Sequence, residues 1–421
     1  MNVTIPYTGS VDLQFEAPPS KSFTHRALVA GALASGTTTV VNPLESEDTL
    51  LTLAALQKLG VDARQETGRI VLHGCDGELP AGGPVTLELA NSGTSLRLMA
   101  SLALLCRYPL TLTGSARMQE RPIGPLAEAL SSIGGSVKFL KEPGYPPIEV
   151  SGHLRGGRVS IDGSVSSQFI SSILMAAPYA ETEVEIHIPS PPASASYLDI
   201  TLSVMEGFGV RVAREGYEQF TVSTRNRYTG RTYAVEGDYS SASYFFALAA
   251  ICGGKVTVRN LVPHSVQGDR RFLPALQEMG CTVTYSENAV SVERTGELRG
   301  ITIDMSSSPD TVQTLCMVAA TATTPTAVSG IGHLKFKESD RISGTAERLR
   351  ALGGRVDVGG DHITIRPSVL HGGVIDPAND HRMAMSFAVL GLGIGGITIT
   401  NAECVTKSFP GFWESLSGVI P

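Results

Sequence analysis

No Cys-x-x-Cys pair occurs in this 421-residue chain, and none of its six cysteines stands at a spacing from His that would hold zinc. The cysteines at 75, 106, 252, 281, 316 and 404 are scattered, and four lie in or beside apolar segments. They read as reduced core residues, which implies a reducing cytosol. No apolar run reaches the roughly 20 residues of a membrane span; the stretches 98–106 and 385–394 stop well short. The opening Met-Asn-Val-Thr-Ile-Pro has neither the basic nor the apolar region of a signal peptide. There is no low-complexity tract, no P-loop and no Rossmann fingerprint. Positive charge is scarce: 33 Lys and Arg against 40 Asp and Glu leave a net charge of −7, which disfavours a nucleic-acid surface. Basic residues that meet an anion must therefore be concentrated locally.

Repetition is what the chain does have. Six times a short polar loop runs into an apolar helix, at Ser20-Lys21-Ser22, Asn91-Ser92-Gly93-Thr94, Ser166-Ser167-Gln168, Asp238-Tyr239-Ser240, Ser308-Pro309-Asp310 and Asn379-Asp380-His381-Arg382. A helix N-terminus offers unpaired N–H groups and the positive end of a dipole, so each start is a ready anion site. Brought together with Lys21, Arg26 and Arg382, they would hold a ligand of several negative charges. A second helix follows each first one and ends at a Gly before a short apolar strand: Gly60, Gly134, Gly209, Gly280 and Gly353, at intervals of 74, 75, 71 and 73 residues. A truncated sixth copy ends at Gly418. This period is too long for a common solenoid unit and fits a βαβαββ module. One module reads as helix 23–33, strand Thr37–Val41, helix 48–59 and a hairpin of 61–64 with 69–72. The next reads as 96–106, Leu110–Thr113, 123–133, 137–140 and 148–150. First helices with few charges, such as 243–251 and 311–320, should be buried nearly all round. Six modules split most simply into two α/β domains of three, and 42% hydrophobic residues suffice for large cores.

Several segments carry chemistry. In Pro18-Pro19-Ser20-Lys21-Ser22-Phe23-Thr24-His25-Arg26, Ser22 and Arg26 are one helical turn apart and can share a mouth with Lys21. Lys offers phosphate a point charge, and Arg a bidentate grip. A capped helix with solvated basic residues is the alternative. Gly93 offers an amide that a ligand can approach closely. Arg117 and Arg121 flank Glu120 on a loop before a helix. Acids and bases alternate in Lys335-Phe336-Lys337-Glu338-Ser339-Asp340-Arg341, which a solvated charged turn would also explain. Asp310, placed at the start of a buried helix and near Lys337, could accept a proton. His381 could be a satisfied structural histidine, and no carboxylate–His spacing suggests a metal.

The motifs Lys-Ser-x-x-His-Arg, Asn-x-Gly-Thr, Arg-Met-x-Glu-Arg-Pro, Ser-Ser-Gln-Phe, Lys-Glu-x-Asp-Arg, Asp-His-Arg-Met-Ala-Met and Lys-x-Phe-Pro, in this order from Lys21 to Pro410, resemble the 5-enolpyruvylshikimate-3-phosphate synthase family. The resemblance implies two inside-out α/β barrel domains, each of three βαβαββ units, that close on substrates. The upper domain would span 18–236, and the lower would combine 1–17 with 237–421. It implies that shikimate 3-phosphate is held by Lys21, Ser22, Arg26, Ser166, Ser167, Gln168, Ser194, Tyr197, Asp310, His333 and Lys337. It implies that phosphoenolpyruvate is gripped by Lys21, Gly93, Arg121, Gln168, Arg341, Arg382 and Lys407. Such anions side by side repel, so a dense cationic frame is required. The implied catalytic groups are Asp310 as base, with Glu338 and Lys21 as acids, in addition and then elimination of phosphate. No metal or other cofactor, no nucleic acid and no membrane is implied, and a cytoplasmic monomer is expected. Three positions depart from the family pattern: His333 stands for a common Asn, Leu98 for a common Pro, and Ala195-Ser196 for Lys-Pro. The rivals are a UDP-N-acetylglucosamine enolpyruvyl transferase, an RNA-end-processing enzyme on similar repeats, and a non-catalytic sugar-phosphate-binding protein. The first uses a Cys on the loop between Gly114 and Arg121, where this chain has none.

Overall fold

The computed structural model describes residues 1–419. The chain divides into two compact units, one made of 19–235 and the other of 1–18 with the chain from 236 onward. Both are built of one repeating plan, seen unbroken at 157–222. Strand Gly157–Ser160 leads through helix Ser167–Ala176 to strand Val184–His187, and helix Ser196–Gly207 then leads to a hairpin of Val212–Glu215 and Gln219–Val222. The first two strands pair in parallel, as a helical crossover permits, and the hairpin adds antiparallel to the second. The same strand order recurs in the sheets built on Val85–Glu88 and on Thr302–Asp304.

Two repeats are completed by strands from far along the chain. Thr232–Ala234 pairs in parallel with Thr37–Val41, closing the sheet of the first repeat. Val11–Glu16 pairs in parallel with Gly254–Arg259, from Val11 opposite Gly254 to Glu16 opposite Arg259. The whole 19–235 unit is thus inserted between strand Val11–Glu16 and the helix that follows it in the repeat, Tyr239–Cys252. At the seam, Asp238 N donates to the Pro18 carbonyl at 2.8 Å. Among the described residues the last repeat has only the parallel strands Gly373–Ile375 and Ile397–Ile399, and Val3–Ile5 pairs antiparallel to the latter in place of a hairpin.

The five glycines of the repeat end their helices with φ of +92° (Gly60), +109° (Gly134), +96° (Gly209), +106° (Gly280) and +89° (Gly353). These are left-handed values that a Cβ disfavours. At four of the five, the same pair of hydrogen bonds closes the turn. Gly60 N donates to Gln57 O at 2.9 Å, and Val61 N to Leu56 O at 3.1 Å. The Schellman cap spends carbonyls that the helix end would otherwise leave unpaired.

The first helix of each repeat lies inside and the sheets lie outside. In helix Tyr239–Cys252 every residue from Tyr239 to Ile251 is buried, and in helix Lys21–Leu33 every residue from Phe23 onward. The strands instead alternate, as in Thr37–Val41 and His362–Arg366, with one face on the core and the other in solvent. Each unit has its own apolar cluster around these helices. The helix bounds shift from the sequence reading in ways that bear on chemistry. Helix Lys21–Leu33 starts two residues early, so Lys21 and Ser22 belong to its first turn. Gly93 is itself the first residue of helix Gly93–Leu102, and a 3-10 turn Ala103–Leu105 follows. Asp310 lies in a 3-10 turn, Pro309–Thr311, and not in the helix Val312–Ala320 behind it. Pro309 is pre-set for a helical start and lacks the N–H such a start leaves unused.

Candidate active site

In the 19–235 unit, two first helices carry basic side chains in their opening turns, Lys21 and Arg26 on one and Arg97 on the other, and the third, Ser167–Ala176, opens on Ser167 and Gln168. Lys21 Nζ reaches the buried Asp48 Oδ2 at 3.1 Å. The Lys21 helix is tied to the Gly93 helix by a buried hydroxyl chain. His25 Nδ1 and Thr52 Oγ1 are 2.8 Å apart, Thr52 and Ser95 hydroxyls 2.7 Å, and Ser95 and Ser92 hydroxyls 2.7 Å. Arg26 turns inward and is 2% exposed. Its Nε donates to Thr201 Oγ1 at 2.7 Å, Nη1 to the Ser22 carbonyl at 3.0 Å, and Nη2 to Ser171 Oγ and the Tyr197 carbonyl, each at 3.3 Å. Burial lowers its pKa to about 10, with Tyr197 opposing. Arg26 thereby orders the backbone at Ser22 and Tyr197.

Around Gly93 two guanidinium groups converge. A Cβ there would stand 2.6 Å from Arg121 Nη2 and 2.7 Å from Arg97 Nη1. Arg121 Nη1 donates to Asn91 at both its carbonyl (3.0 Å) and its Oδ1 (3.2 Å). Arg97 Nη1 donates to Gln168 Oε1 at 2.6 Å, and Arg97 lies over the Phe169 ring at 5.3 Å. Gln168 Nε2 in turn donates to Thr94 Oγ1 at 2.9 Å. Gly93, Arg121 and Gln168 are therefore brought together, with Arg97 as the link. Ser166 caps helix Ser167–Ala176 by accepting from Gln168 N at 3.3 Å, and Ser167 is buried beside it. Ser194 adopts φ +59°, and its carbonyl accepts from Tyr197 N at 3.0 Å.

In the other unit one side chain organises the cluster. Arg341 begins helix Arg341–Ala351 and its side chain is 1% exposed. Its Nε donates to Asp380 Oδ2 at 2.8 Å and its Nη2 to Asp380 Oδ1 at 3.2 Å. Nη1 donates to Asp310 Oδ1 at 3.2 Å, and Nη2 also to Glu338 Oε2 at 2.9 Å. Burial works against the Arg341 charge, but Asp380, Glu338 and Asp310 outweigh it and raise its pKa above the ordinary value. Asp380 caps helix His381–Ile394 through Arg382 N at 3.0 Å and accepts from Ser339 Oγ at 2.9 Å. Burial would raise this carboxyl, yet Arg341 and His381 hold it below the usual range. Arg382 Nη2 donates to Asp310 Oδ2 at 2.6 Å, and its Nη1 to the Asp310 carbonyl at 3.1 Å and to Tyr244 Oη at 3.4 Å. Asp310, Glu338, Arg341 and Arg382 thus form one network. His333 is nearly buried, and burial followed by the like charge of Lys337 pushes its pKa down to about 3, so it is a neutral imidazole near pH 7. Lys407 closes the 3-10 turn Ala402–Lys407 and is buried.

Sequence reading did not single out Arg97, Asp48 or Asp380. Arg97 lies four residues after Gly93, and that spacing puts both on one helix face. The partners of Lys21 and Arg341 are 27 and 39 residues away and leave no local trace.

Among the described residues no helix is long and apolar enough to cross a membrane. The family profile described as EPSP synthase (3-phosphoshikimate 1-carboxyvinyltransferase) matches residues 7–416. A relative from Methanoregula boonei, named 3-phosphoshikimate 1-carboxyvinyltransferase, is 64% identical over 420 residues, covering 100% of both chains. One of the same name from Serratia proteamaculans is 42% identical over 98% of this chain and 96% of its own. The solved EPSP synthase of Acinetobacter baumannii superposes with a TM-score of 0.82 at 29% identity, covering 99% of this chain and 98% of that one. The chain belongs to the EPSP synthase family.

Proposed function

We propose that this chain transfers the enolpyruvyl group of phosphoenolpyruvate to the 5-hydroxyl of shikimate 3-phosphate and releases phosphate, the step its relatives are named for on the shikimate pathway to chorismate. The observation that carries the residue roles is the sharing of one buried guanidinium by two carboxylates: Arg341 bonds both Asp310 and Glu338. A base and an acid held on one rigid cation can serve two ends of one reacting system. The division of the chain into 19–235 and 1–18 with the chain from 236 onward supports reading it as two domains.

Shikimate 3-phosphate meets Lys21, Ser22, Ser166, Ser167 and Gln168 at helix starts, with Arg26 ordering the backbone at Ser22 and Tyr197. Ser194, Tyr197, His333 and Lys337 complete its surroundings. Phosphoenolpyruvate is held by Lys21, Gly93, Arg121 and Gln168 together with Arg341, Arg382 and Lys407. Asp310 takes the proton of the 5-hydroxyl as its oxygen bonds to the central carbon of phosphoenolpyruvate. The alkene electrons collect a proton at the methylene carbon from Glu338, assisted by Lys21. The tetrahedral adduct then returns one proton of its new methyl group to Glu338, reforms the double bond and expels phosphate. Positive charge that develops on the central carbon is stabilised by the carboxylates. No cofactor takes part, and we assign the protein as a cytoplasmic monomer. The nucleotide-sugar alternative would want a reactive loop thiol. Burial, with Cys75 adding to it, instead pushes the Cys106 thiol up to about 12.

The test is phosphate release from phosphoenolpyruvate, with shikimate 3-phosphate or UDP-N-acetylglucosamine supplied in separate reactions. Release only with shikimate 3-phosphate is expected, and release only with the nucleotide sugar would overturn the assignment. Gly93→Ala probes the donor side. The new methyl would push two tethered guanidinium groups aside, each worth about 1.5–3 kcal/mol as a charge-assisted hydrogen-bond donor. The KM for phosphoenolpyruvate should rise ~10-fold or more, with the melting temperature nearly unchanged. An unchanged KM would remove Gly93 from the donor site.

A further inference from the structure

Joined to the Asp310 turn is a buried carboxyl that the reaction described above leaves unused. Asp269 sits in the 3-10 turn Gly268–Arg271 and is 5% exposed. Its Oδ2 accepts from Ser240 Oγ at 2.5 Å, and Ser240 stands in the first turn of helix Tyr239–Cys252. The same turn is strapped to the segment that carries Asp310, since Ser308 Oγ donates to the Gly268 carbonyl at 2.6 Å. Asp269 is therefore fixed from two sides, against the turn Pro309–Thr311.

A carboxyl that only braced these turns would be better replaced by an amide, because burying a charge is costly. The charges facing it come from every side. Asp310 faces it from its turn and Asp238 from the cap of helix Tyr239–Cys252, and both oppose its ionisation. Arg382, from helix His381–Ile394, favours it. On its own turn, Arg270 is directed to the Ser265 carbonyl at 3.0 Å, and Arg271 completes the turn. The following helix, Phe272–Glu278, carries its one charge at its far end. Burial, then Asp310, push Asp269 up to about 7, against the Ser240 bond and Arg382.

We propose that Asp269 is a positioning residue for the proton transfer, forming with Asp310 a two-carboxyl unit, braced by Ser240 and by the Ser308–Gly268 strap, that receives the proton of the acceptor hydroxyl. The inference rests on the reading of Asp310 as the base. Two neighbouring carboxylates resist ionising together, so their protons belong to the pair and leave in two separated steps. Above the upper step both are ionised and the pair takes a proton readily. Below it the pair already holds one, and transfer slows. The upper step thus lies near neutrality, where a base works best.

The experiment is the pH profile of kcat/KM from 5 to 9 for the full chain and three variants. Wild type should lose activity as pH falls through about 7. Asp269→Asn removes one charge, so the acid limb should move down by roughly one unit or more, with a several-fold lower plateau and an unchanged KM for phosphoenolpyruvate. Asp269→Glu should restore the wild-type limb. Ser240→Ala removes a donor that favours the ionised form, so its limb should move up. Activity lost in Asp269→Asn with the limb unmoved would mean a structural role only and overturn the proposal. If that variant does not fold, an unmoved limb in Ser240→Ala overturns it equally. Asp310→Asn, run alongside, separates the two readings: wild-type turnover in that variant would sink the assignment of the base itself, whatever Asp269 does.

Discussion

Arg341→Met is expected to cost the unit that contains it about 3–5 kcal/mol of stability, the usual penalty for removing one partner of a buried ion pair, and to abolish turnover. The guanidinium answers three carboxylates, and the Asp380 side chain is 0% exposed. Methionine fills similar volume, so the loss is electrostatic and not a cavity effect. In the wild type, Asp380 has a depressed pKa. Its contribution is therefore present above the unfolded value of 3.8 and is lost as pH falls through the folded one. Without Arg341 the sign reverses. A buried, poorly paired Asp380 holds its proton more tightly than in the unfolded chain, so its penalty applies at neutral and alkaline pH and fades as it protonates. Urea unfolding at pH 8 and at pH 5 should show a large deficit narrowing toward acid. Arg341→Lys should fall between, since one point charge cannot serve three carboxylates in a fixed fork. A deficit below about 1 kcal/mol, the range of exposed ion pairs, or one equal at both pH values, would contradict the network as described.

The periodic part of this protein was legible because its causes are local. Gly60, Gly134, Gly209, Gly280 and Gly353 recur in sequence because each turn needs a positive φ, and the structure places all five there. The apolar first helices could be recognised as interior for a similar reason, since helix Tyr239–Cys252 carries no charge on any face. What escaped was set by chain closure. That Val3–Ile5 takes the place of a missing hairpin beside Ile397–Ile399 depends on a pairing across nearly the whole chain. The same distinction runs through the site. Lys21 and Arg382 announce themselves as basic residues at helix starts, Arg121 as one on a loop before a helix, and Arg341 as the end of a stretch of alternating charge. Asp380 looks like an ordinary cap, and only the folded chain brings Arg341 onto it. Asp310 was expected to open a helix, but Pro309 and the Ser308 bond to Gly268 place it in a tighter turn. That turn aims its carboxylate at both Arg341 and Arg382, whereas the ladder of a regular helix would have offered it only neighbours one turn away.

Glu338→Gln should lower kcat by about 10²–10⁴, the range spanned by a general acid or base, while leaving both KM values within a few-fold. The side chain is 9% exposed, and its Oε2 accepts from Arg341 Nη2 at 2.9 Å. An amide oxygen can accept the same bond, so the helix start and the Asp310 and Asp380 contacts of Arg341 survive. The substitution removes a proton that can be given and taken back, and little else. Equal losses in kcat and kcat/KM identify an interaction made only in the transition state. Isotope exchange locates the step. Protonating the methylene carbon makes a transient methyl group, so turnover in deuterated water should place deuterium in the vinyl group of product and of recovered phosphoenolpyruvate. In Glu338→Gln that exchange should slow in step with turnover. Exchange at the wild-type rate with slow phosphate release would move Glu338 from proton transfer to the elimination step. A raised KM with undiminished kcat would make it a binding group held by Arg341, and normal turnover would end its assignment altogether.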